Sequence, residues 1–264
     1  MKKNIFIIAL MAVLGLALAS CSKDTEGKTF VENYPIFTDA TGTEVNNTTV
    51  MLALGEEYDY EYKATLAGKD VTAETEVAIY NVVTGEYDKE INTSTPGVYY
   101  VYYTGISEHE MATWTSTRTV YVYDPEVTTD ISGTYNLDFD NSYYYYGGWQ
   151  TITSEVARRG LTATSASITV TQLCPGIYQV SDLFAGWYTQ IRGYSTYSAT
   201  AYNMSGIVML NSDNTIDCLS SKVSAWGDGL DYLQNGVYDP EKESLSWDLG
   251  YAGSIYIAPL LYKQ

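Results

Sequence analysis

The feature that most restricts how this chain can fold is a two-residue alternation of aromatic and polar side chains. In Glu57-Tyr58-Asp59-Tyr60-Glu61-Tyr62-Lys63 tyrosines alternate with charged residues. In an extended backbone every ring then falls on one face and every charge on the other. Residues 98–103 and 119–123 are equally rich in β-branched and aromatic residues, which suit a pleated, half-buried surface. Asn46-Asn47, Ala67-Gly68-Lys69-Asp70 and Thr95-Pro96-Gly97 separate such runs with residues that form turns. No amphipathic helix stands out beyond the N-terminal apolar run. The expected fold class is all-β.

The alternation divides into two stretches. Residues 34–125 have the length of one β-sandwich, with strands expected near 50–54, 57–66, 76–83, 98–104 and 115–123. Glu126-Val127-Thr128-Thr129-Asp130 reads as a short polar connector. The rest of 126–264 carries strand-like stretches near 134–139, 150–156, 167–173, 176–183, 188–193, 199–210, 215–219, 244–249 and 254–262. So many sequential strands favour an antiparallel β-barrel over a second sandwich, and closure removes the sticky edges that tyrosine-rich strands would otherwise expose.

Two groups of motifs carry a resemblance. Thr95-Pro96-Gly97-Val98-Tyr99-Tyr100-Val101-Tyr102-Tyr103 and Thr117-Arg118-Thr119-Val120-Tyr121-Val122-Tyr123-Asp124 are similar to the closing strands of bacterial immunoglobulin-like domains. Ser132-Gly133-Thr134-Tyr135 and the stretch from Ile177 through Asp182 to Tyr188 resemble the C-terminal domain of two-domain lipoproteins from Bacteroidota polysaccharide-utilisation systems. In that family an immunoglobulin-like domain precedes a calycin- or lipocalin-like barrel. The resemblance implies an anchored surface or periplasmic protein associated with carbohydrate handling, and it brings no catalytic residues.

The N-terminus gives the expected address. Lys2 and Lys3 precede an apolar run from Ile5 to Ala19, which has the form of a secretory signal and is too short for a typical membrane-spanning helix. Leu18-Ala19-Ser20-Cys21 resembles the lipobox of bacterial lipoproteins, which implies cleavage after Ser20 and acylation of Cys21. Residues 1–20 are thus the expected signal peptide and 21–33 a lipid-anchored tether. Ser22-Lys23-Asp24-Thr25-Glu26 resembles a Bacteroidota surface-export tag, which favours the outward-facing leaflet of the outer membrane.

Charge narrows the partners. The chain has a formal charge of −18, and losing residues 1–20, with two lysines and no acids, takes it to −20. Such a surface repels phosphate backbones and anionic headgroups, so no nucleic-acid partner is expected and the membrane is reached through the lipid alone. Outer-membrane proteins and a glycan remain as partners. Cys174 and Cys218 fit a disulfide or two buried thiols equally well, and no cofactor or metal is expected. The Asp-containing loop Trp226-Gly227-Asp228-Gly229-Leu230-Asp231-Tyr232 lacks the order of a calcium loop. His109 is the one histidine, in a polar loop with no nucleophile motif nearby. Asp138, Asp140, Asp182, Asp228 and Asp231 are the carboxylates that a glycosidase reading would draw on.

Aromatics supply the strongest local signal. Of 27 tyrosines 15 follow residue 125, together with four of five tryptophans. Tyr143, Tyr144, Tyr145, Tyr146 and Trp149 form one group; Trp187 with Tyr188, and Trp226 with Tyr232, form two more. A flat ring stacks on the C–H face of a sugar while Asp, Asn and Gln take its hydroxyls, so these nine residues are the candidate ligand site. The expected function is non-catalytic carbohydrate binding, with an adhesin-like protein-interaction module as the alternative and a glycoside hydrolase third. Cys21→Ala should move the protein from the detergent-extracted membrane fraction to the soluble one. Equal membrane association of the variant would refute acylation at this position.

Overall fold

The computed structural model describes residues 32–195 and 198–264, so the signal segment, Cys21 and most of the tether lie outside the described residues. Residues 36–123 form two sheets. Strands β1 (Ile36–Asp39), β3 (Tyr62–Leu66) and β4 (Lys69–Asp70) make the smaller one. The larger has the order β2 (Thr48–Ala53), β8 (Thr113–Tyr123), β7 (Gly97–Ile106), β5 (Glu76–Asn81) and β6 (Glu86–Asp88), with β2 parallel to β8. Phe37 and Ala64 from the smaller sheet pack with Leu52, Val101, Tyr103 and Val120 from the larger, a sheet-on-sheet core. Arg118, only 5% exposed, is paired with Asp39 at 2.8 Å across the two sheets.

The run 57–61 departs from the expected strand. Its tyrosines alternate, yet the ladder begins only at Tyr62. Tyr58 is drawn into the core, where its hydroxyl lies 3.2 Å from that of Tyr103. Tyr60 turns outward and accepts a 2.7 Å hydrogen bond from the Ile91 amide. Side-chain partners hold this segment in place without a neighbouring strand.

Residues 133–263 build a closed barrel of eight antiparallel strands. Around the ring they are β9 (Gly133–Leu137), β12 (Ser167–Cys174), β13 (Ile177–Val180), β14 (Met204–Leu210), β15 (Thr215–Val223), β16 (Tyr232–Asp239), β17 (Ser244–Tyr251) and β19 (Leu260–Lys263). The ring closes because the first half of β17 pairs with β19, at Leu245 opposite Leu261. Its second half pairs instead with β18 (Ile255–Ala258), which carries the hairpin β10 (Tyr143–Tyr145) and β11 (Trp149–Thr151) as a side extension of the sheet.

Two stretches read as strand are helical. Helix α1 (Ile152–Arg158) replaces the strand expected over 150–156: Thr151 caps it by accepting from Ser154 N at 3.2 Å, and Glu155 and Arg158 match the polarity of its ends. Ile152 and Val156, four residues apart, enter the barrel core. Residues Trp187–Ile191 form a single π-helical turn, and the strand expected over 199–210 starts at Met204. Gly186 opens that turn at φ 83°, where an added Cβ would stand 2.8 Å from the Ala166 Cβ.

The barrel wall and the larger sheet touch. Val98 and Tyr121 pack with Cys174, Ile177, Ile207 and Leu219 in a third buried cluster. Cys174 and Cys218 are both free thiols. Cys174 belongs to that outer cluster while Cys218 packs against the barrel interior, so the two face opposite sides of the wall and no disulfide forms. Burial pushes the Cys174 thiol up to about 12 and the Cys218 thiol up to about 11, which keeps both protonated and unreactive at neutral pH.

Close strand contacts make certain glycines irreplaceable. A Cβ on Gly236 would lie 2.4 Å from the Ile216 carbonyl oxygen, a backbone atom that cannot swing away. Gly236→Ala should therefore cost about 1–3 kcal/mol through overpacking. Thermal unfolding reads this as a drop of several degrees in Tm, and an unchanged Tm would show that the β15–β16 contact is not fixed.

Candidate functional site

The nine candidate aromatics separate by the face of the sheet on which they stand. Within β10 the tyrosines alternate: Tyr143 and Tyr145 are exposed and Tyr144 is buried. Tyr144 stacks on Trp187 with ring centroids 4.4 Å apart and 26° between planes, and Trp187 has no exposed surface. The Arg159 guanidinium stands over both rings at 5.4 and 5.5 Å. Glu155, fully buried, binds Arg158 at 2.6 and 2.7 Å and also holds Arg159. Burial raises the Glu155 carboxyl, but its bonds to the two arginines outweigh this and leave it below the usual carboxylate range. Tyr144, Trp187 and α1 thus form one packed unit. Tyr188 is buried as well, 5.0 Å from both Phe184 and Trp226. Trp226 is half-exposed, with Tyr202 at 5.2 Å and Tyr251 stacked at 5.8 Å. Three of the nine residues, Tyr144, Trp187 and Tyr188, are therefore inaccessible to a ligand unless the core opens.

The remaining rings face solvent, and the strand register aligns four aromatics across five strands. Trp149 is opposite Tyr145, whose ring stands 5.7 Å from that of Trp149 and 5.7 Å from that of Tyr256. Tyr256 is opposite Gly250, and Gly250 is opposite Tyr232. Residues directly opposite in a ladder share a face. The row is therefore Trp149, Tyr145, Tyr256 and Tyr232, running across β11, β10, β18, β17 and β16. Gly250 leaves the gap that the Tyr232 ring fills, since a Cβ there would lie 2.3 Å from Tyr232 Cε1. Trp149 is 52% exposed, Tyr145 38% and Tyr232 39%. Gln234 and Asp248, opposite each other one step along the strands, flank the row with polar groups. Tyr146, at the hairpin tip, lies under the Arg158 guanidinium at 3.8 Å.

No local pattern in the sequence singles out Tyr256, which sits alone among aliphatic neighbours in Ile255–Ala258. Only the register of β18 against β10 and β17 reveals its place. Alternation within 143–149 could have signalled that half of these rings are outward, but not which half.

The carboxylates have structural partners. Asp138 accepts the amides of Asp140 and Asn141 at 3.0 and 3.1 Å, closing a turn. Asp140 accepts from the Thr153 hydroxyl at 2.6 Å. Asp228 accepts the Tyr251 hydroxyl at 3.0 and 3.1 Å, and Asp231 accepts from Gly253 N at 2.7 Å, so both shape the 226–232 loop. His109 lies 3.0 Å from Glu32 at the surface. Among the described residues no group of three or more His, Cys, Asp or Glu is placed to hold a metal ion.

Residues 124–260 match a family model described as a "-like, C-terminal domain". The chain belongs to that family. No curated protein matches it. The chain is similar over 87% of its length, and over all of the other chain, to the crystal structure of lipoprotein BT2262 from Bacteroides thetaiotaomicron, at 27% identity and a TM-score of 0.42. It is also similar to Bacteroides fragilis protein BF2706, provisionally named as an outer membrane protein. There the identity is 11% and the TM-score 0.25, with 88% of this chain and 96% of that chain covered.

Asp182 holds the loop ahead of Trp187 in place. Its carboxylate accepts Phe184 N at 3.0 Å, Gly186 N at 2.9 Å and Met204 N at 2.9 Å. Burial pushes its pKa up to about 6 against the pull of these three donors. The folded chain keeps this proton up to about pH 6 while the unfolded chain releases it near 3.8, so between the two the folded state binds more protons. The stability due to Asp182 should fall as pH rises from about 4 to 6 and level off above. Asp182→Asn removes this slope but turns an amide donor toward one of the three backbone donors, at a cost of about 1–3 kcal/mol. Urea unfolding of both proteins at pH 4 to 7 is the measurement; a slope retained in the variant would assign it to another group.

Proposed function

We propose that this is an anchored lipoprotein of the outer membrane, directed outward, that binds carbohydrate without turning it over. The observation that carries the reading is the solvent-facing row of Trp149, Tyr145, Tyr256 and Tyr232. Strands lie about 4.8 Å apart, so rings two strands apart stand about 10 Å apart. An extended glycan presents the same face at every second sugar, a repeat of similar length. The row is held by backbone ladders before any ligand arrives, which spares a sugar the entropy of ordering it. Lipidation at Cys21 and association with polysaccharide utilisation complete the reading, with residues 34–125 as an immunoglobulin-like unit and 126–264 as the binding barrel. Glycosidase chemistry finds no support in the five aspartates, which hold turns, loops or the buried Trp187 segment.

The row lies along a sheet face rather than in a pocket, and that flatness favours a second reading, a docking surface for an outer-membrane protein. A glycan array probed with the full-length protein separates the two. Trp149→Ala should weaken the glycans bound by about 1–3 kcal/mol and leave Tm nearly unchanged, as expected for an exposed anchor. Trp187→Ala should instead cost about 3–5 kcal/mol of stability as a core truncation. Silence across the array, or unchanged binding by Trp149→Ala, would remove the carbohydrate reading.

A further inference from the structure

A second aromatic surface stands at the junction of the larger sheet and the barrel, remote in sequence from the row and sharing no residue with it. On the outer face of the larger sheet Tyr87 is opposite Tyr80, and Tyr80 is opposite Tyr100. The Tyr80 and Tyr100 rings are parallel within 6°, with centroids 6.4 Å apart; Tyr87 lies 5.4 Å from Tyr80, and Tyr102 6.3 Å from Tyr100. Val98 and Tyr121 on this same face are covered by the barrel, and the tyrosines begin where that contact ends; Tyr80, Tyr100 and Tyr102 are half-buried and Tyr87 is exposed.

The barrel supplies the facing wall. Tyr80 and Tyr100 line a hollow of about 520 Å³ with Gln179, Ser205, Ser220 and Ser221 of the barrel strands. Tyr87 and Tyr102 line an adjoining hollow of about 640 Å³ on the sheet. Both hollows are open to solvent rather than enclosed. Ser205 and Ser220 stand on the wall face that Ile207 turns toward the sheet, since Ser220 is opposite Ile207; Ser205 Oγ accepts from Gln179 Nε2 at 2.8 Å, which leaves its O–H to donate. The charged groups are mixed in sign, Lys222 beside the first hollow and Glu76 beside the second, while the Asp88 carboxylate accepts from Asn81 Nδ2 at 2.9 Å. An anionic ligand spanning both hollows would meet Glu76 and a cationic one Lys222. A ligand with apolar ring faces and a hydroxyl rim would meet phenol rings on one side and serine hydroxyls on the other.

We propose that this cleft is a second binding site, one that takes a neutral oligosaccharide running across both hollows, with its sugar faces on Tyr87, Tyr80 and Tyr100 and its hydroxyls toward Ser205 and Ser220. The inference is independent of the row, because either surface can fail while the other binds. It also gives residues 34–125 a part in recognition.

Calorimetric titration of the full-length protein in detergent with cellohexaose, maltohexaose, xylohexaose and mannohexaose tests it. The chain carrying Trp149→Ala should still bind at least one of these. In that background Ser205→Trp, which puts an indole into the cleft, and Tyr87→Ala, which truncates a 68% exposed ring, should each weaken binding at least tenfold with Tm unchanged. Should Ser205→Trp fail to fold, the loss in Tyr87→Ala decides the matter. No hexasaccharide binding by the Trp149→Ala chain, or binding unaltered by both cleft variants, would overturn the cleft. Loss in the cleft variants with no effect of Trp149→Ala would support the cleft and sink the row instead.

Discussion

Strand β17 is shared between two neighbours, and the rest of the second half of the chain follows from that division. At Ser244–Ser246 it pairs with β19 and closes the ring; at Leu249–Tyr251 it pairs with β18 and opens a side sheet. The switch falls at buried Pro259, which has no amide to offer either ladder. Ser142, fully buried, covers the break by accepting Leu260 N at 2.8 Å and donating to the Leu260 carbonyl at 3.3 Å. Without closure the tyrosine strands would present open edges; without the side sheet, β10 and β11 would have nothing to pair with.

Because β18 continues the sheet of β17, the hairpin that it carries has one inner and one outer face. The inner face gives Tyr144 to the stack with Trp187, under Arg159 and the buried Glu155. The outer face gives Tyr145 and Trp149 to the row. The same ladder therefore fixes the core of one side and the recognition surface of the other, and the exposed rings inherit the rigidity of a packed layer.

The two halves of the chain repeat one arrangement, aromatic residues set opposite each other across neighbouring strands of an exposed face. On the barrel side this makes a row in which Tyr145 stands edge-on to Trp149 and Tyr256, and on the sheet side the barrel wall turns it into a cleft. The contact of Val98 and Tyr121 with Ile177, Ile207 and Leu219 joins the two, so the first half is packed against the second.

The sequence by itself determined the all-β class, because two-residue alternation cannot bury its rings in any other repeating backbone, and it placed turns, most of the longer strands and the rich supply of aromatics. It did not separate 57–61 from a true strand, since a segment held by the side chains of Tyr58 and Tyr60 shows the same alternation as a laddered one. It missed α1, where seven residues are too few for a helical period to show, and the π-turn at Trp187, which depends on a left-handed Gly186 wedged against Ala166. Tertiary structure alone decided which aromatic rings are reachable. Alternation states that neighbours in Tyr143-Tyr144-Tyr145 point oppositely, while only strand pairing chooses the side that meets water, and pairing partners such as Tyr256 and Tyr232 lie too far along the chain for any local pattern to bring them together.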